Sequence, residues 1–205
     1  MFEEGVREKL ESMRISPGKY YRFLSAKFGD ESEVFNRTIN FFNSSSTVGN
    51  NVEFNCFWQS NYGHKSTETE LFNWAYELYN NLKRFYEGGV FHLFKYKQAE
   101  WGAPEILITE ADVPNDNQKN LLGNPQIVFR GLRKREHESK NYYQSWTADQ
   151  CKASEFATNI YSGQPNGIVV QASVSAEDVL YYNEADPEKE VIVKKGAITD
   201  ANENK

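Results

Sequence analysis

The sequence predicts an α+β protein, with helices in the leading part and short strands in the rest. Three observations predict it. Apolar residues before Gly88 recur at helical spacing. From Ile127 onward, short apolar runs are separated by Gly, Pro and Asn. No apolar run approaches the ~20 residues that a membrane-spanning helix needs. The chain has 205 residues, a net charge of −6 and 15% aromatic side chains, which suits a well-filled core and argues against a general polyanion binder.

Taken in order, "FEEGVREKLESM" reads as a short amphipathic helix, broken at Pro17-Gly18. "KYYRFLSAKFG" reads as a second helix that stops at Gly29. "DESEVFNRTINFFN" carries Val34, Phe35, Ile39 and Phe42 on one helical face, and "SSSTVGNN" is a polar loop. The clearest helix follows. Thr67 and Glu70 are placed as a capping box, and Leu71, Trp74, Ala75, Leu78, Leu82 and Phe85 form one stripe up to Gly88-Gly89. Residues 1–89 are thus expected to form a helical N-terminal region.

From Val90 the pattern changes. "VFHLFKY" and "PEILITEA" read as strands, and "DVPNDNQKN" as a loop. "QIVFRGL", "NYYQSWT", "NGIVVQASV", "DVLYYN" and "EVIVKKGAIT" read as strands, with one helix over Asp149 to Thr158. The sheet-rich core is expected over 90–200 and a frayed tail over 201–205. Cys56 and Cys151 lie far apart in unlike contexts, and the charged N-terminus has no secretory apolar stretch. Two reduced thiols in a cytoplasmic protein follow as the expectation. His64, His92 and His137 have no metal-ligand spacing, so no metal is expected.

Three groups in the second half have chemistry. Arg130 ends an apolar strand, where a guanidinium either pairs with a carboxylate or grips an anion; Gly131 beside it permits a close backbone approach. Ser145 and Thr147 are one residue apart, so period-two geometry turns both hydroxyls to one strand face. Thr147 is also placed to cap the following helix. Glu188 and Glu190 flank Lys189 just before the apolar "VIV", and the same alternation turns both carboxylates to one side. A solvated acidic turn is the plain alternative for that stretch.

The order Arg, Ser-x-Thr, Glu-x-Glu on successive strands resembles the R-S-E class of mono-ADP-ribosyltransferases. "FRGL" is similar to that family's first-strand motif. "SWTADQCKASEFA" is similar to its Ser-Thr-Ser strand and trailing helix, and "EKEVIVKKG" to its Glu-x-Glu turn and strand. The resemblance covers roughly residues 127–199. It implies a core of mostly antiparallel strands in two packed sheets, NAD as co-substrate and no metal. It implies a glycosyltransferase that cleaves the nicotinamide–ribose bond and transfers ADP-ribose. Glu190 would stabilise the cationic ribose, Ser145 would hold Glu190, and Glu188 would orient and deprotonate the acceptor. Arg130, Gly131, Ser145, Thr147 and Tyr161 would contact NAD, Tyr161 by stacking on nicotinamide.

Two intracellular groups share the resemblance. One is phage enzymes that modify host RNA polymerase and ribosomal proteins. The other is toxins of antiphage toxin–antitoxin–chaperone systems that modify mRNA, for which an antitoxin is an implied partner. Glu-x-Glu favours a protein arginine as acceptor. The bases of "RGLRKREHESK" and the base–aromatic alternation of "KRFYEGGVFHLFKYK" speak for RNA. A non-catalytic NAD-binding or interaction module is the remaining alternative.

Overall fold

The structure, a computed structural model, describes residues 1–29, 36, 81–98, 105–160 and 167–204. Residues 67–80 of the helix expected from Thr67, with Val34, Phe35, Ile39, Phe42, Cys56, His64 and Tyr161, lie outside these residues; residues 81–83 are helical and Leu82 is buried. The chain divides into two compact units, Met1–Ile106 and Leu107–Lys205.

In the first unit, α1 spans Glu4–Ser12 and buries Val6 and Leu10, four residues apart and therefore on one face. Pro17 does break the chain, but it also opens α2, Pro17–Phe28. At the first helical position its missing N–H has no partner to lose. Helix α2 buries Tyr20 and Leu24 and ends at Gly29, whose φ of 82° suits glycine. Ile15 and Tyr86 form an antiparallel bridge. "VFHLFKY", expected as a strand, is a helix: α3 spans Gly89–Tyr96 and buries Leu93 and Phe94. The first compact unit runs on past this helix to Ile106. Lys83 is buried here, and desolvation pushes its ammonium down to about 7, with Glu105 opposing the shift.

The second unit is built on one antiparallel sheet. Its strands are β1 (Gln126–Leu132), β2 (Ser145–Thr147), β3 (Ile168–Val174), β4 (Val179–Tyr182), β5 (Glu190–Val193) and β6 (Asn202–Glu203). Their order is β4-β5-β2-β1-β3-β6. Hydrogen bonding thus joins all the described strands in a single six-stranded sheet, where two packed sheets were expected. The mixed α+β class itself holds. The tail is not frayed: Asn202 and Glu203 pair with Gln171 and Val170, and Ala201 is buried. Within "PEILITEA", the described residues 105–111 form no ladder. Ile108 instead bonds through both its amide and carbonyl to the buried Gln144 side chain, whose amide also donates to Val193 O.

Val128, Leu132, Trp146, Val170, Val191 and Val193 fill one face of the sheet. Two short helices frame β2. Helix α4 (Lys134–Ser139) follows β1, and α5 (Gln150–Glu155) follows β2 and continues as a π-helical turn, Phe156–Ile160. The Asp149 side chain caps α5 by accepting from the amides of Cys151 and Lys152. A Cβ on Gly131 would stand 2.1 Å from Ala153 O and 2.6 Å from Ala157 N. Only a glycine lets α5 lie this close to β1.

Candidate active site

Strand register sets the site. Phe129 lies opposite Thr147, and Thr147 opposite Glu190, so the three form a row across β1, β2 and β5. Alternation adds Ser145 to the same face. Ser145 Oγ donates to Glu190 Oε1 at 2.5 Å, a short charge-assisted hydrogen bond between neighbouring strands. Glu190 itself is only 7% exposed. A carboxylate so enclosed needs a donor, and the strand hydroxyl supplies one.

Arg130, one position on from Phe129, leaves β1 on the opposite face, in the row of Val128 and Leu132. Strands β1 and β2 share one register pair, Phe129 with Thr147. Beyond that pair, towards Ser145, the guanidinium spans from one strand to the other. Its Nη1 donates to Ser145 O at 2.5 Å. Nε donates to Glu136 Oε1 at 2.9 Å and Nη2 to Glu136 Oε2 at 3.3 Å. The pair is enclosed, with side-chain exposures of 12% and 11%. Arg130 and Glu190 therefore sit one hydrogen bond to either side of Ser145, one through its carbonyl and the other through its hydroxyl.

Thr147 behaves differently from Ser145. Its hydroxyl donates to Glu188 O at 2.7 Å and accepts from the Asp149 amide at 3.0 Å. Both bonds run to backbone, so Thr147 ties the turn before β5 to the start of α5. It is buried, and its proton is already committed to the Glu188 carbonyl. The helix cap is Asp149, not Thr147.

At Gly131 the backbone that approaches the Cα is that of α5 and the π-helical turn.

Glu188 and Glu190 do not obey simple alternation. β5 begins at Glu190, and Glu188 lies in the preceding turn, where Lys189 takes a positive φ of 49°. The Lys189 amide donates to Asp186 O and its ammonium to Glu184 O. Glu188 is exposed and Glu190 buried, so the two carboxylates have unlike surroundings.

Two participants are not evident from the sequence motifs. Glu136 belongs to a stretch that reads as a run of surface charge, "RKREHESK", yet α4 turns it back onto Arg130. The signal available was chemical: a strand-end arginine needs a carboxylate within a short turn. Tyr143 is 45% exposed, with the Arg130 guanidinium and the Lys195 ammonium each 5.3 Å from its ring centroid.

Among the described residues no group of three His, Cys, Asp or Glu side chains is placed to hold a metal ion, and no helix is long and apolar enough to cross a membrane. Comparison of the chain with protein-family models, with curated proteins and with solved structures finds no match.

Proposed function

We propose that the chain is a mono-ADP-ribosyltransferase that uses NAD as co-substrate and modifies an intracellular macromolecule, with a protein arginine as acceptor. It would act as a phage effector or a bacterial toxin. The observation that supports this reading is the meeting of three motif residues at Ser145. The residue's hydroxyl holds the Glu190 carboxylate and its carbonyl receives the Arg130 guanidinium.

The chemistry follows from the bond to be broken. The C1′–N bond of NAD cleaves with its electron pair going to the pyridinium nitrogen, which leaves as neutral nicotinamide. Positive charge then develops on the ribose, as in glycoside hydrolysis. Glu190, fixed by Ser145, is suited to stabilise that charge without reorganising, an effect worth about 10²–10³ in rate per contact. Arg130 still has N–H groups beyond the three engaged with Glu136 and Ser145, and these suit a phosphate oxygen. Glu188, exposed at the turn, would orient an incoming guanidinium. The acceptor nitrogen forms the new bond to C1′, and its proton passes to Glu188.

The two-sheet transferase core belongs to this proposal; the described strands form one antiparallel sheet. A second acceptor class has its own observation: Arg133, Lys134 and Arg135 are all exposed beside the arginine strand, which favours RNA.

Incubation with labelled NAD and cell lysate, followed by protease or RNase, tests the reading. Label released by protease alone is the expected result, and release by RNase alone moves the acceptor to RNA. Glu190→Gln is expected to lose transfer by about 10²-fold or more. Equal labelling by the wild type and Glu190→Gln would remove the enzyme.

A further inference from the structure

Glu136 has no counterpart among the motifs that suggest transferase chemistry, yet its carboxylate takes two hydrogen bonds from the arginine. Its carboxylate takes the Nε–Nη2 edge of Arg130 at 2.9 and 3.3 Å. The same Oε1 accepts from the Tyr143 amide at 3.2 Å, two residues before Ser145. One carboxylate thus connects β1, through Arg130, to the segment that leads into β2. A guanidinium is planar and rigid. Once one edge is clamped and Nη1 reaches Ser145 O, the direction of the remaining N–H groups is set.

We infer that Glu136 is a positioning residue: by clamping one edge of Arg130 it fixes which N–H groups are offered to a dinucleotide phosphate. This rests on the transferase reading above and adds the residue that determines its anion grip. The Glu136 carboxylate meets Arg130 and the Tyr143 amide rather than Glu190, so its effect is expected on binding of NAD and not on the bond-breaking step. An unclamped arginine of ordinary rotamer freedom would have to be ordered by the ligand itself, at a cost to affinity.

Glu136→Gln keeps the size of the side chain but replaces one acceptor with an amide that faces the Nη2 donors, so the clamp opens. Hydrogen bonds to charged groups are worth enough that KM for NAD is expected to rise about tenfold or more, with kcat changed less than about threefold. Glu136→Asp keeps the charge on a shorter stem and is expected to recover much of the KM loss.

A second readout needs no NAD. In the free protein the Arg130 Nε–H resonance is expected to be slow to exchange, and to lose that protection in Glu136→Ala, which removes the Oε1 acceptor as well. Retained protection in that variant, or lost protection with an unchanged KM, overturns the inference while leaving the transferase reading intact. Should Glu136→Gln fail to fold, Glu136→Asp decides the question: wild-type KM with weakened Arg130 protection overturns it, and a raised KM with unchanged kcat supports it. A wild-type protein that shows the protected resonance but no affinity for NAD overturns the transferase reading, and this inference with it.

Discussion

Ser145 and Glu190 show how one hydroxyl changes the meaning of a buried charge. A carboxylate at 7% exposure without a donor would be costly. With the Ser145 hydroxyl at 2.5 Å, it is held in one place. Ser145→Ala removes that donor while leaving the strand its backbone bonds. A hydrogen bond to a charged group is worth about 1.5–3 kcal/mol, so kcat is expected to fall by about tenfold or more. Steady-state nicotinamide release measures it, and an unchanged kcat would show that Glu190 does not depend on the hydroxyl. The pairing of Ser145 with Glu190 was legible because motif order put them on neighbouring strands. Glu136 and Gln144 were not, since their partners are fixed by a helix turn and by a docked loop that residue spacing does not encode. Thr147 was legible only in part. Its position pointed to the site, but both its bonds go to backbone.

At the scale of elements, the close contact of α5 with β1 depends on Gly131. Alanine there would place a methyl carbon 2.1 Å from the Ala153 carbonyl oxygen, a backbone atom that cannot swing aside. The helix must then lift from the sheet. Overpacking of this kind costs about 1–3 kcal/mol, and more where backbone is struck. Gly5→Ala is the fitting control. It lies in α1 with nothing within 4 Å of the added carbon, and is expected to gain about 0.5–1 kcal/mol. Thermal unfolding of both variants checks the pair, and a Gly131→Ala protein as stable as the wild type would mean that α5 is free to shift. The strands β1 and β3 were legible from their apolar runs and their flanking turns. Helix α3 was not: Val90, Phe91, Phe94 and Tyr96 have strand propensity, while Val90, Leu93 and Phe94 also fit a helical face. Burial decides between the two, and a run this short does not reveal which face is buried. β6 escaped notice because its residues, Asn202 and Glu203, have no apolar signal; the edge of β3 recruits them through backbone bonds.

For the whole molecule, charge bears on which acceptor is used. A net charge of −6 repels a polyanion at long range, whereas Arg133, Lys134 and Arg135 form an exposed basic run beside Arg130. The two effects act over different distances, and salt separates them. If three phosphates of a single strand were neutralised by that run, the logarithm of affinity would fall with the logarithm of salt at a slope of about −2. Raising salt from about 50 to about 200 mM would then cost roughly twentyfold in transfer at subsaturating acceptor. A protein arginine taken up by the single carboxylate of Glu188 involves fewer screened contacts, and the loss is expected to stay within about threefold over the same range. Initial rates of labelled ADP-ribose transfer, measured with excess NAD at each salt concentration, give the slope directly. Because Arg130 is proposed to hold the anionic co-substrate, KM for NAD must be followed in parallel so that its own salt dependence is divided out. A corrected slope near zero places the acceptor among proteins. A slope near −2 that vanishes in the triple Arg133→Ala, Lys134→Ala, Arg135→Ala variant places it among RNAs and assigns the basic run to holding it.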